Sequence, residues 1–223
     1  MELVIGNKNY SSWSLRPWLL LTYFEVTFSE IHINLFGNDM HEQMKKYCPN
    51  KKVPVLIDRQ TTEDFTVWDS LAICEYINEQ YLNGQAWPDE ISNRALARSI
   101  CSEMHSGFFA LRNELPMSCR RKKAAIKLSK SAQQDISRII EIFSNCLSKN
   151  KISPITKSDH FLFGEFSIAD AYFMPVVSRF NTYAIEVPKQ VEQYIERMLL
   201  LPSYQKWQGA AESENEIIAV AEK

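Results

Sequence analysis

The sequence predicts an α/β layer at the N-terminus followed by an all-helical second half. Three observations predict it. Over roughly the first eighty residues, short apolar runs of period two alternate with stretches whose apolar residues recur every three or four positions. Beyond Pro88 only the helical spacing remains. The third β-like run, Lys52-Val53-Pro54-Val55-Leu56-Ile57-Asp58, has a proline near its start, and the first half is organised around it.

The elements follow in order. Leu3-Val4-Ile5-Gly6 is a short apolar strand, and Asn7-Lys8-Asn9-Tyr10-Ser11-Ser12 is the loop after it. Leu15, Trp18, Leu19, Thr22 and Tyr23 then recur at helical spacing. Proline lacks an N–H and is harmless only in a first helical turn, so Pro17 predicts a cap at Trp13 or Ser14. That leaves Ser11 and Ser12 in the loop at the helix mouth, beside free N–H groups and the positive end of the dipole. Such a place stabilises an anion, a thiolate included.

Phe28 to Leu35 reads as a second strand, and Met40 to Tyr47 as a weak helix. In the third strand Val53, Val55 and Ile57 share one face. Pro54 cannot donate to a ladder. The run is therefore either an edge strand with a trans proline, or a strand entered through a cis Val53-Pro54 bond. The second case leaves the N–H and C=O of Val53 free to pair with a short extended peptide. Arg59 to Asp64 is a polar turn, and Phe65-Thr66-Val67 is the returning strand of a hairpin. Asp69 or Ser70 caps a helix that buries Leu71, Ile73, Cys74, Ile77 and Tyr81. The order β-α-β-α-β-β-α, closing in a hairpin, gives a thioredoxin-like layer without redox cysteines.

Gly84 to Pro88 reads as a linker between a first domain, residues 1–83, and an all-helical domain, residues 89–223. Asp89 starts one long helix through Arg112, with Ile91, Leu96, Ile100, Met104, Phe108 and Leu111 along one face. Ile136, Ile139, Ile140, Phe143 and Leu147 define the next, and Lys149 to Ser158 is a loop. Ser167 and Asp170 stand in capping-box relation ahead of a further apolar run. Gln190 to Leu200 and Pro202 to Gly209 are two more helices.

Composition limits the function classes. The chain of 223 residues is 45% hydrophobic and 23% charged, with net charge -2, so no global field favours nucleic acid or a membrane surface. Arg120-Arg121-Lys122-Lys123 is basic, but no aromatics interleave with it, and it reads as a solvated loop or helix start. No stretch approaches the ~20 apolar residues of a membrane span. The N-terminus has no basic region of a secretory leader, so a cytoplasmic location is expected. Cys48, Cys74, Cys101, Cys119 and Cys146 are odd in number and widely spaced, and they read as reduced thiols. Four scattered histidines lack metal-ligand spacing, and no metal site is expected.

Four segments together resemble the cytosolic glutathione S-transferase family over nearly the whole chain. Ser11-Ser12-Trp13-Ser14-Leu15-Arg16 resembles the S-S-C-S-W-R turn of zeta-class members and the serine turn of theta-like ones. Pro49 to Leu56 is similar to N-P-x-G-K-V-P-x-L, and Trp68 to Ile77 to E-S-x-A-I-x-x-Y-L. The fourth is Phe161 to Asp170, whose capping box nucleates a buried helix in that family. Two positions depart from the pattern. Asp69 stands where a glutamate is usual, and Trp13 where zeta-class members carry cysteine.

The resemblance implies glutathione as co-substrate and no other cofactor. Val53, ahead of Pro54, would pair with the cysteinyl backbone as in strand addition. Asp69 and Ser70 would hold the γ-glutamyl ammonium and carboxylate, and Lys52, with Lys51 beside it, the glycyl carboxylate. Ser12 or Ser11 would donate to the sulfur and favour the thiolate, with Tyr10 a third candidate. A pocket for a small hydrophobic electrophile would lie near Met104, Phe108 and Arg112, and the protein would be a homodimer. The implied activity is transfer of glutathione to an electrophile or reduction of a peroxide. A glutathione-dependent isomerase of the maleylacetoacetate type and a non-catalytic binding or regulatory module of the same fold are the alternatives.

Overall fold

The computed structural model describes residues 1–35, 37, 39–47, 50–60, 63–149 and 161–218. Strand β1 (Glu2–Gly6) runs parallel to β2 (Ser29–Ile33) and antiparallel to β3 (Val55–Asp58), which pairs with β4 (Phe65–Trp68). The sheet order is β2-β1-β3-β4. Period-two alternation divides its faces. Leu3, Ile5 and Leu56 join the large core under helices α1 (Ser12–Tyr23) and α3 (Ser70–Tyr81). Val4, Ile33, Val55 and Ile57 face Met44 of α2 (Met40–Lys45). This is the thioredoxin-like layer read from the sequence.

The second half is helical: α4 (Ile91–Ser106), α5 (Phe109–Glu114), α6 (Lys130–Lys149), α7 (Ile168–Thr182), α8 (Lys189–Leu199) and α9 (Pro202–Glu212). Helix α7 is its axis. It is buried almost end to end and packs on α1, α4 and α8. The capping box forms: Asp170 accepts from the N–H of Ser167 at 2.9 Å and from its hydroxyl at 3.0 Å. Asp170 also accepts from Leu162 N–H at 3.0 Å and the Tyr194 hydroxyl at 3.1 Å. Ile168 N–H donates to the Ala86 carbonyl at 2.9 Å, which ties α7 to the segment after α3.

Three expectations are corrected. Helix α1 starts at Ser12 and is capped by Ser11, so Pro17 is its sixth residue and not in its first turn. The missing Pro17 N–H leaves the Trp13 carbonyl without its helical donor. Burial of Leu15, Trp18 and Leu19 outweighs that loss. The segment from Asp89 to Arg112 is two helices. Gly107 ends α4, where a Cβ would lie 2.9 Å from the Glu103 carbonyl oxygen. Phe108 follows with φ 57°, a left-handed conformation that turns the chain. Strand β3 begins at Val55, with Val53 outside it, and the Val53-Pro54 bond is cis. The expected loop at Lys149 to Ser158 lies almost wholly outside the described residues, as do Cys48, Pro49 and the Thr61-Thr62 pair. Cys74, Cys101, Cys119 and Cys146 are all buried.

Candidate active site

A cleft of about 420 Å³ opens between the end of β1's sheet and the helical region. Asn50, Lys51, Lys52, Val53 and Pro54 line it together with Asp69, Ser70, Trp13 and His105, and with Leu35, Met40 and Met44. The structure thus brings together Lys52, Val53, Pro54, Asp69 and Ser70, which the sequence separates by up to 18 positions.

The lining is shaped by its backbone. Among the described residues Val53 makes no backbone hydrogen bond, while Lys52 N–H donates to Asn50 Oδ1 at 2.9 Å. Lys51 has φ 51° and Asp69 φ 77°, both on the left-handed side where non-glycine residues are uncommon. Asp69 caps α3: its Oδ1 accepts from Leu71 N–H at 2.9 Å and Ala72 N–H at 3.4 Å. Its Oδ2 lies 3.4 Å from His105 Nε2. Ser70 is the first residue of α3, and its Oγ is 3.1 Å from the Tyr172 hydroxyl.

The serine turn divides its two hydroxyls. Ser11 is buried, donates to Ser14 Oγ at 2.7 Å, and is the cap of α1. Ser14 Oγ in turn accepts from Gly6 N–H at 3.1 Å. Ser12 is half-buried, and its hydroxyl makes no hydrogen bond among the described residues. Neither serine lines the cleft; Trp13 does. The Tyr10 hydroxyl is turned to the C-terminal segment, where Ile218 N–H donates to it at 3.2 Å.

Trp13 is flanked by cations. The guanidinium of Arg16 is 4.2 Å from its ring centroid and that of Arg112 is 4.9 Å. Arg16 is fully buried, and burial lowers its pKa. Its Nε donates to the Tyr172 carbonyl at 3.1 Å, while its Nη1 has no partner among the described residues. Arg112 donates to the carbonyls of Met104 and His105 at the end of α4, and burial brings it down to about 10. Of the residues expected around a second-substrate pocket, Arg112 therefore borders the cleft through Trp13. Met104 and Phe108 are core, at 0% and 7% exposure.

Residues 10–80 match the family model described as the glutathione S-transferase N-terminal domain. Over that stretch the chain is similar to the glutathione S-transferase family. A maleylacetoacetate isomerase of Rattus norvegicus is 26% identical over 194 residues, 85% of this chain and 84% of that one. An Arabidopsis thaliana glutathione S-transferase is 35% identical over 92 residues, 40% of this chain and 37% of the relative. A Burkholderia glutathione transferase homologue solved with bound glutathione superposes with a TM-score of 0.69 at 22% identity, covering 96% and 98% of the two chains. A sphingomonad glutathione S-transferase complexed with glutathione gives 0.66 at 19%, covering 96% and 100%.

Two residues had escaped the sequence reading: His105, which lines the cleft, and Tyr172, buried behind Ser70. His105 sits beside Met104 on α4, one position off the apolar stripe that suggested a pocket. Tyr172 lies on α7, 102 positions from its partner Ser70. Only the offset of His105 from a buried helical face could have drawn notice; for Tyr172 the sequence holds no signal.

Proposed function

We propose that the protein binds glutathione in this cleft and uses its thiolate to attack a small electrophile or a peroxide. The observation that carries this is that Val53, ahead of cis Pro54 and with no backbone hydrogen bond among the described residues, lines one cleft with the helix-capping pair Asp69-Ser70. An extended peptide pairs with Val53 as an added strand. Its γ-glutamyl carboxylate takes the N-terminus of α3 at Ser70, and its ammonium faces Asp69. Lys52, with Lys51, neutralises the glycyl carboxylate. Among the three candidate hydroxyls, Ser12 is the one not committed elsewhere, at the N-terminal turn of α1, where the dipole favours a thiolate. Trp13, with Arg112 behind it, borders the electrophile.

Glutathione is the co-substrate, and the reading calls for no further cofactor and no metal. A homodimer fits the exposed apolar groups on the sheet edge and on α4: Phe65 and Trp68 of β4 and Ile91 of α4. No described helix is long and apolar enough to cross a membrane, and a cytoplasmic location accords with reduced cysteines.

Calorimetry with millimolar glutathione is the first test, and an absence of binding would overturn the proposal. Turnover is then measured with aryl halides, hydroperoxides and maleylacetone. An isomerase reading is favoured by the relative of that name, which aligns over most of the chain. The cations Arg16 and Arg112 beside Trp13 would suit its anionic substrate. Turnover of maleylacetone alone would select it, and binding without turnover of any of the three would select the non-catalytic module.

A further inference from the structure

The Asp69-Ser70 corner of the cleft is held from behind by the helical region. Asp69 Oδ2 is 3.4 Å from His105 Nε2. The other ring nitrogen, Nδ1, is 2.6 Å from the Tyr172 hydroxyl, and that hydroxyl is 3.1 Å from Ser70 Oγ. Since Ser70 follows Asp69 in the chain, the four groups close a ring.

Two proton arrangements satisfy this ring. An ionised carboxylate repels a facing lone pair, so with Asp69 Oδ2 at 3.4 Å the proton sits on Nε2 in both. With a neutral imidazole, Nδ1 is a lone pair. Tyr172 then donates to it, Ser70 donates to Tyr172, and Ser70 offers the cleft lone pairs alone. With an imidazolium, Nδ1–H donates to the Tyr172 oxygen, Tyr172 donates to Ser70, and the Ser70 proton is released to the cleft. The difference between the two states is one proton taken from solvent.

A bound carboxylate requires a donor. We propose that His105 and Tyr172 are positioning residues for the amino-acid end of glutathione: they set the direction of the Ser70 hydroxyl, and a carboxylate arriving at Ser70 draws a proton onto His105. This rests on the placement of glutathione proposed above.

The groups facing the imidazole allow it. Asp69 and the arriving carboxylate favour the charged ring. Against it stand Arg16 of α1, stacked on Trp13 and Tyr172, Arg112 of α5, which donates to the His105 carbonyl, and Lys51 and Lys52, which line the same cleft. The Tyr172 hydroxyl is pushed up to about 12 by burial and keeps its proton throughout. Cys74 and Cys101, near Arg16, are buried thiols pushed up in pKa.

The test is glutathione binding by calorimetry from about pH 5 to 8, the range in which histidine changes charge, in two buffers of different ionisation enthalpy. Glutathione's own carboxylates stay ionised throughout. The expected result is proton uptake on binding and an affinity that falls about tenfold or more across the range, the worth of one hydrogen bond to a charged group. Tyr172→Phe keeps the ring under Arg16 and should flatten that slope, and His105→Gln should flatten it too. Circular dichroism and the melting temperature establish that each variant is folded. Should Tyr172→Phe fail to fold, His105→Gln, half-exposed at its site, carries the test alone. Binding without proton uptake, or a full slope in either folded variant, overturns the proposal while leaving glutathione as the ligand. No binding at any pH by the unaltered protein overturns the function proposed above.

Discussion

The guanidinium of Arg16 lies 3.9 Å from the ring centroid of Tyr172, joining α1 of the sheet layer to α7 of the helical region. The contact is buried, and Trp13 covers the same cation. A planar guanidinium can stack on both rings and still donate through Nε, whereas an ammonium cannot. Arg16→Lys is therefore expected to cost about 2 kcal/mol, and the melting temperature should fall by roughly 4–8 °C. A thermal melt within a degree of the unaltered protein would show that charge alone is what this position needs.

Asp170 takes four donors in a site with no exposure. Asp170→Ala leaves buried N–H and O–H groups unpaired and should cost about 3 kcal/mol or more, at about 1–3 kcal/mol for each stranded group. Turnover per folded molecule should not change. Burial pushes this carboxyl up to about 6 against the hydrogen bonds that it accepts. The folded state thus holds the proton more tightly than the unfolded one, at about 3.9. The contribution to stability is present below about pH 4 and is lost as pH rises through about 6. Chemical denaturation of the Asp170→Asn variant should lack that slope; an unchanged slope would remove Asp170 from the account.

His32 and Glu214 form the second pH-linked pair. Glu214 accepts from Lys8 and Asn9 N–H groups at 2.5 and 3.0 Å, so the C-terminal segment straps the loop that leads to Ser12. Its carboxylate is 3.3 Å from His32 Nε2, and that hydrogen bond raises the histidine's pKa. Burial pushes the Glu214 carboxyl up, but its hydrogen bonds outweigh this and hold it below the carboxylate range. The histidine's contribution is fully present below about pH 6.5 and is lost as pH rises through its raised value. Melting temperatures should therefore decline across neutral pH, less so in His32→Gln. Equal decline in both would assign the effect elsewhere.

These pairs mark what a sequence can and cannot carry. Period two and period 3.6 were enough for the sheet and most helices, because each element buries one face. The same logic hid the break at Gly107: Ile100, Met104, Phe108 and Leu111 are all buried, so the apolar stripe runs on across two helices. Pro17 misplaced the start of α1, because local preference was outweighed by a buried face. The cleft walls were legible where neighbours in sequence share a job, as at Val53-Pro54 and Asp69-Ser70. Arg120 was read as part of a solvated basic cluster. It donates instead to the Tyr10 hydroxyl at 3.0 Å and to the carbonyls of Glu214 and Glu216, partners that only the folded C-terminus supplies. The ring of Asp69, His105, Tyr172 and Ser70 was illegible for the same reason.

The contact proposed between Ser12 and the glutathione thiol gives the last prediction. Ser11 spends its proton on Ser14 and is buried as a cap, whereas the Ser12 hydroxyl remains uncommitted among the described residues. If Ser12 donates to the sulfur of bound glutathione, it stabilises the thiolate against the thiol. A hydrogen bond to a charged group is worth about 1.5–3 kcal/mol, so Ser12→Ala should raise the apparent thiol pKa by about one to two units. Turnover near neutral pH should fall about tenfold or more. The loss should shrink as pH rises and the thiol ionises unaided, while the affinity for glutathione, held by the carboxylates and ammonium, changes little. Ser11→Ala should instead lower the melting temperature, as the loss of a helix cap does at about 1 kcal/mol, and leave the pH–rate profile in place. A shifted profile in Ser11→Ala and none in Ser12→Ala would reverse the two roles. Silence in both would move thiolate stabilisation to backbone N–H groups in the first turn of α1, where Trp13 N–H has no partner among the described residues.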